Sequence, residues 1–184
     1  MHKRYLVILF IANVLLCLPL VWGFDKESEV IQRNNGIITG SQPIISLQSV
    51  EREETFAVSE AEKLLLCKIV QAEAGCEDRI GKILVANVIL NRLENKKFPD
   101  TLEGVIYQQQ DGVAQFSPVQ DGTLQVAKPN TETIEAVEAA LSGEDYSEGA
   151  LYFMARKYAD PENVKWFDRA LDKVLEYGGH EFYK

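Results

Sequence analysis

The sequence predicts an α+β domain in which helices dominate. Three observations carry this reading. A helix start signal at Ser59 is followed by helix-type apolar periodicity, and a nearly all-apolar helical segment runs from Arg79 to Glu94. Further on, Asp-Gly and Gly-Gly pairs punctuate short alternating stretches, which suits turns between short strands. With 184 residues and 46% hydrophobic content, the chain can bury one substantial core but not two once any processed segment is removed.

The first 23 residues, "MHKRYLVILFIANVLLCLPLVWG", join a basic start at Lys3 and Arg4 to an apolar run from Tyr5 to Trp22. That pattern reads as a secretory signal peptide cleaved near Gly23. The rival is an uncleaved membrane anchor, since the run is at the lower edge of what spans a bilayer and is broken by Asn13 and Pro19. A lipoprotein site at Cys17 is disfavoured by the bulky Leu16 before it. Export is expected either way. Residues 24–56 are polar and mixed, interrupted by Gly36, Gly40 and Pro43, and read as a linker. The domain is expected over 57–184.

Within it, Ser59 and Glu62 have the spacing of a capping box, Leu65 to Val70 supply an apolar face, and Gly75 stops the helix. The second helix, Arg79 to Glu94, is apolar almost all round and belongs inside the core. A short helix opens near Pro99 to Thr101. From Gln108 to Asn130, two Asp-Gly pairs and two prolines predict turns and short strands rather than helix. Thr131 to Leu141 forms an amphipathic helix. The aromatic-rich tail carries Gly178-Gly179 as a turn between strands, and "DRALDKVLE" as a solvated helix or strand face.

Composition excludes several chemistries. Loss of residues 1–23 removes two of the 19 basic residues and none of the 28 acidic ones, so the net charge goes from −9 to −11. Such a surface repels phosphate polymers and argues against nucleic-acid binding. One histidine, His180, remains after cleavage, with no HExxH or paired CxxC, so neither a metal nor an organic cofactor is expected. There is no GxSxG elbow and no phosphate-binding glycine loop. Cys67 and Cys76 would sit ~13 Å apart on a continuous helix, which predicts two unpaired thiols unless the chain reverses tightly at Gly75. Cys76 with His180 could form a peptidase pair, although Cys76 follows a helix end, where the dipole raises a thiol pKa.

Carboxylate chemistry is what remains. Leu66, Ile69 and Val70 mark one helix face, and the next position on it is Glu73. A carboxyl group there is desolvated, which lifts its pKa toward neutrality and suits it to act as a general acid on a glycosidic oxygen. Alternatively Glu73 turns to solvent, or pairs with Arg79 or Arg92.

The run "LLLCKIVQAEAGCEDRIGKILVANVILNRLENKKFPDTLEGVIYQ" resembles the spore-cortex-lytic type of bacterial cell-wall hydrolase. The likeness rests on Glu73-Ala74 at a helix end, Glu77 four residues on, Asn91-Arg92, and the Phe98-Pro99-Asp100-Thr101 turn. It continues through "QFSPVQDG" at Gln115 to Gly122, "ALYF" at Ala150 to Phe153, and the terminal "GHEFYK". The resemblance implies a lysozyme-like, mainly helical α+β fold with a small β-hairpin region lining a cleft. It implies Glu73 as the single catalytic acid, cutting the β-1,4 bond between N-acetylmuramic acid and N-acetylglucosamine in peptidoglycan. The favoured route is that of a lytic transglycosylase, in spore cortex or vegetative wall, and water hydrolysis is the other outcome. The chain departs from the family pattern at Gly75-Cys76, where Arg-Gly is usual.

Around Glu73, the candidates for substrate contact are Glu77, Gln115, Phe116, Ser117, Tyr152 and Trp166. Each has a structural alternative: Glu77 as a helix cap, Gln115 to Ser117 as turn residues, the aromatics as core. Asn91 and Arg92 are expected to make core hydrogen bonds, and Phe153 to pack inside. The expected partners are peptidoglycan glycan strands. Membrane contact is expected only through an uncleaved N-terminal segment, and the sequence identifies no regulatory partner. Two other classes stay open: a Cys76–His180 wall peptidase or amidase, and a non-catalytic wall-binding module.

Overall fold

The computed structural model describes Val50–Glu51 and residues 56–184. The expected signal peptide or anchor and most of the expected linker lie outside the described residues. Val50–Glu51 form β1, which pairs antiparallel with β4 (Glu144–Asp145), and the Phe56 amide donates to the Leu141 carbonyl at 3.1 Å. The end of the 24–56 segment is therefore joined to the domain rather than serving only as a spacer.

Helix α1 (Glu60–Ala74) starts where its capping box predicts. Ser59 Oγ accepts the Glu62 amide, and Glu62 Oε2 accepts the Ser59 amide at 2.8 Å. Leu66, Ile69 and Val70 are fully buried, each contributing roughly 1.5–3 kcal/mol of apolar transfer. Helix α2 (Arg79–Glu94) is capped by the Asp78 side chain and runs through the centre, buried without interruption from Gly81 to Leu90. Helix α3 (Leu102–Ile106) is capped by Thr101. Next come β2 (Gln109–Gln110) and β3 (Val113–Ala114), a hairpin turned at Asp111-Gly112, both of which have positive φ.

The following segment differs from expectation. Ser117–Asp121 form α4 and Thr123–Val126 form α5, two short helices where turns and strands are predicted. Pro118 occupies the first turn of α4, where a missing N–H costs nothing, and the second Asp-Gly pair supplies the left-handed Gly122 between the helices. Helix α6 (Thr131–Leu141), capped by Asn130, packs on both α1 and α2 through Ala136, Val137 and Ala140 to complete the core.

Beyond β4, a three-stranded antiparallel sheet has the order β5 (Tyr152–Met154), β7 (His180–Tyr183), β6 (Lys173–Tyr177), with Gly178-Gly179 at the hairpin turn, both left-handed. Between β5 and β6 lies α7 (Pro161–Ala170), a helix in a stretch that the sequence marks only as aromatic-rich. Its Phe167 joins Met154 and Tyr183 in a second small core. The "DRALDKVLE" run ends α7 and begins β6, mostly on exposed positions. Among the described residues no helix is long and apolar enough to cross a membrane.

The cysteines differ from expectation in one respect. Cys67 is free and buried in the core, whereas Cys76 is disulfide-bonded. The predicted pair of unpaired thiols is therefore corrected to one.

Candidate active site

Glu73 stands in the last turn of α1, and its position depends on how that turn is pinned. Gln71 Oε1 accepts the Asn130 amide at 3.0 Å and the Thr133 hydroxyl at 2.8 Å, tying the end of α1 to the start of α6. Gly75 leaves room for this. A Cβ there would lie 2.4 Å from Gln71 Nε2 and 2.5 Å from its carbonyl oxygen. The departure from the family pattern at position 75 thus coincides with a close approach of Gln71.

The residue as a whole keeps some exposure, but Glu73 Oε1 is enclosed and has no hydrogen-bond partner. The backbone N–H of Ser117, the first residue of α4, bears on the carboxylate. Burial pushes its pKa up to about 8, and the Asp121 carboxylate at the far end of α4 adds to the rise. The Arg92 guanidinium and the Ser117 N–H oppose it. At neutral pH the group is therefore mostly a neutral acid with a proton to give.

Arg92 is 1% exposed. Its Nε donates to the Leu151 carbonyl at 2.7 Å, and its guanidinium carbon lies 5.1, 5.0 and 5.4 Å from the ring centroids of Phe98, Phe116 and Tyr152. Burial draws its pKa down to about 10, so it stays charged at neutral pH. The neighbouring Asn91 donates to Ser147 Oγ and the Ala150 carbonyl, both at 2.8 Å, fixing the approach to β5. These are the core hydrogen bonds predicted for Asn91 and Arg92.

The structure brings Glu73, Ser117 and Phe116 together and adds Arg92 and Asp121. Gln115 is buried beside them, its amide donating to the Gln108 carbonyl at 2.9 Å. Among the described residues, buried side-chain polar atoms without a partner include Glu73 Oε1, Arg92 Nη1, Ser117 Oγ and Gln108 Oε1. Native interiors leave few such atoms, and here three belong to Glu73 and the two residues whose amide or charge reaches it. This constellation can donate a proton and hold a polar ligand.

Tyr152 serves as one wall of the Arg92 cage and also meets Phe167 edge-on at 6.4 Å. Trp166 packs with Phe167 in the second core. Glu77 faces away toward the β6–β7 hairpin. Its Oε1 is 3.6 Å from His180 Nδ1, and a Cβ on Gly178 would meet its Oε2 at 2.2 Å. Tyr177 donates to Asp78 Oδ2 at 2.6 Å beside it. The Glu77–Asp78 turn thus docks that hairpin, and burial holds the His180 pKa below its ordinary value. Among the described residues no three His, Cys, Asp or Glu side chains could together hold a metal ion.

Asp121 and Gln108 are members of this site that sequence reasoning misses, whereas Arg92 is foreseen only as a pairing partner of Glu73 or a maker of core hydrogen bonds. Arg92 carries a signal, a charge inside an apolar helix. Asp121 reads in the sequence only as half of a turn.

Comparison with known proteins identifies the family. The family model described as cell wall hydrolase matches residues 76–183, more than half of the chain and beginning just after Glu73. The spore cortex-lytic enzyme of Oceanobacillus iheyensis is 36% identical over 120 residues, 65% of this chain and 39% of that protein. That of Bacillus subtilis is 40% identical over 89 residues, 48% of this chain and 28% of its own length. The chain thus spans well under half of these relatives. Among solved structures, the catalytic domain of the germination-specific lytic transglycosylase SleB from Bacillus anthracis superposes with a TM-score of 0.61 at 30% identity, covering 70% of this chain and 98% of that domain. The Bacillus cereus SleB catalytic domain gives 0.58 at 28% identity, covering 70% and 93%. The lysozyme-like α+β fold implied by resemblance is the one observed, and the chain belongs to the cell-wall hydrolase family.

Proposed function

We propose that this protein is an exported enzyme that cleaves peptidoglycan glycan strands between N-acetylmuramic acid and N-acetylglucosamine, with Glu73 as the single catalytic acid and base. The observation that carries this reading is the enclosed Glu73 carboxyl, protonated at neutral pH and set against the Ser117 amide. The spore cortex-lytic names of the relatives favour cortex as the target.

Glu73 gives its proton to the glycosidic oxygen as the bond from that oxygen to C1 of the muramic residue breaks. The C6 hydroxyl oxygen then bonds to C1, and its proton passes to Glu73, which restores the acid and closes a 1,6-anhydro ring. No water is consumed. The unpartnered Ser117 hydroxyl and the Gln108 side-chain Oε1 offer polar contacts to the sugar, and Gln115 and Phe116 shape that wall. Glu77, Tyr152 and Trp166 support the site through packing.

Asp121 carries a second reading. It is an exposed acid whose charge reaches Glu73, so it could activate water and leave ordinary reducing ends. Mass spectrometry of fragments from digested cortex peptidoglycan decides. Terminal muramic residues lighter by one water support transglycosylation, and hydrated ends only would establish hydrolysis. Binding without released fragments would identify a wall-binding module instead.

A further inference from the structure

Helix α1 does not end on the left-handed residue that commonly closes a helix. Gly75 has φ −60° and ψ −25°, a right-handed conformation open to any residue. Glu73 stands in the turn just before it, where a helix frays most readily unless something outside the helix holds the chain. Two side chains supply that hold, and both end on the first turn of α6. From α1, Gln71 Oε1 accepts the Asn130 amide at 3.0 Å and the hydroxyl of the buried Thr133 at 2.8 Å. From α2, Lys82, buried in an otherwise apolar stretch, donates to the Glu77 carbonyl and, at 3.0 Å, to Glu132 Oε1. The chain is therefore tied to residues 130–133 on both sides of Glu73, and Asn130 caps that same turn by accepting the Thr133 amide at 2.8 Å.

We propose that the first turn of α6 is a platform that positions Glu73 for the reaction, with Gln71 as the positioning residue; this rests on the reading of Glu73 as the acid. The Asn130 N–H can only donate, so it fixes the Gln71 amide with its oxygen toward α6 and its Nε2 over Gly75. A Cβ at position 75 would fall 2.4 Å from that nitrogen, so glycine is needed there for space and not for backbone freedom. Gly75 follows Gln71 by four residues and shares its helix face, whereas Glu73 lies ~200° round the helix from Gln71. Gln71 thus acts through the backbone from which Glu73 projects, without contact at the reacting atoms. Lys82 fixes the far side of the same turn through the Glu77 carbonyl. A misplacement of about 1 Å can cost about a hundredfold in rate, so ties of this kind bear on kcat more than on binding.

The test separates the acceptor from the shape of the side chain. Gln71→Glu keeps an oxygen for both donors, whereas Gln71→Met keeps the length and loses the acceptor. With soluble glycan fragments of cortex peptidoglycan, Gln71→Met should lower kcat about tenfold with KM within about twofold of the wild type, and Gln71→Glu should hold kcat within about threefold. Hydrogen exchange at the Glu73 and Ala74 amides should quicken in Gln71→Met and stay slow in Gln71→Glu. A folded Gln71→Met protein with wild-type kcat would overturn the proposal, as would a Gln71→Glu protein as slow as Gln71→Met. If Gln71→Met does not fold, Thr133→Val decides, since it removes one of the two donors: kcat about threefold lower at unchanged KM supports the platform, and wild-type kcat overturns it. Full activity in Glu73→Gln would instead remove the catalytic reading, and would do so with the exchange pattern of the Gln71 variants intact.

Discussion

Glu73 at the end of α1 lies where the backbone N–H of Ser117 at the start of α4 bears on its carboxylate, so two helices distant in the chain meet at one carboxylate. The amide is fixed by the helix that follows it and favours the ionised form. Proline is well suited to this position, since it opens a helix and follows the extended Phe116. Ser117→Pro should therefore fold and raise the Glu73 midpoint by up to about one unit, whereas Ser117→Ala, which keeps the N–H, should leave it nearly unchanged. Carbon-13 NMR titration of the two variants measures this.

The raised acid also sets the pH profile. With Glu73 needed in its protonated form, kcat/KM should be level through neutral pH and fall above about 8. Because the Asp121 carboxylate contributes to the rise, Asp121→Asn should move the falling limb to lower pH by about half a unit. Rates of turbidity loss from cortex suspensions at fixed ionic strength give both limbs.

Stability should carry the opposite signature from an ordinary carboxylate. The folded pKa of about 8 lies above the ordinary value of 4.5, so the folded state holds a proton that the unfolded chain releases. Its contribution is fully present below 4.5 and is lost as pH rises toward 8. Relative to Glu73→Gln, the wild type should lose up to about 3 kcal/mol between pH 4 and pH 7. Urea denaturation of both proteins at several pH values reads the difference directly.

Glu77 tests whether proximity in sequence to Glu73 means proximity in role. Because it faces His180 and the Gly178 turn, Glu77→Gln should loosen the β6–β7 hairpin, at a cost of up to about 1 kcal/mol, and leave the alkaline limb in place. Hydrogen exchange at Tyr177 and His180 should quicken in the variant while the pH–rate profile keeps its shape.

Three helices are legible in the sequence alone. Ser59 with Glu62 announces α1, because capping uses few residue types at fixed spacing, and apolar patterning marks α2 and α6, while the cap of α2 is Asp78 and not the Glu77 offered by the sequence. Glu73 is visible as a carboxylate on an apolar face. The short helices α4 and α5 are not, since four or five residues do not establish a period and Asp121-Gly122 reads equally well as a turn. Helix α7 does carry a signal, Asp160 capping a helix with Pro161 in its first turn, but its aromatic residues weigh toward strand. The meeting of Arg92, Ser117 and Asp121 at Glu73 depends on tertiary contacts between three helices, and no local pattern encodes it. The bonded state of Cys76 escapes for the same reason, since a disulfide depends on the path of the chain rather than on spacing along one helix.

The central claim is that the Glu73 proton drives bond cleavage, and replacing that proton tests it most directly. Purified cortex peptidoglycan is digested with wild-type and Glu73→Gln protein at equal concentration, and soluble muropeptides are measured against time. The account predicts steady release by the wild type and a loss of at least a thousandfold in the folded variant. Undiminished release by Glu73→Gln would contradict it.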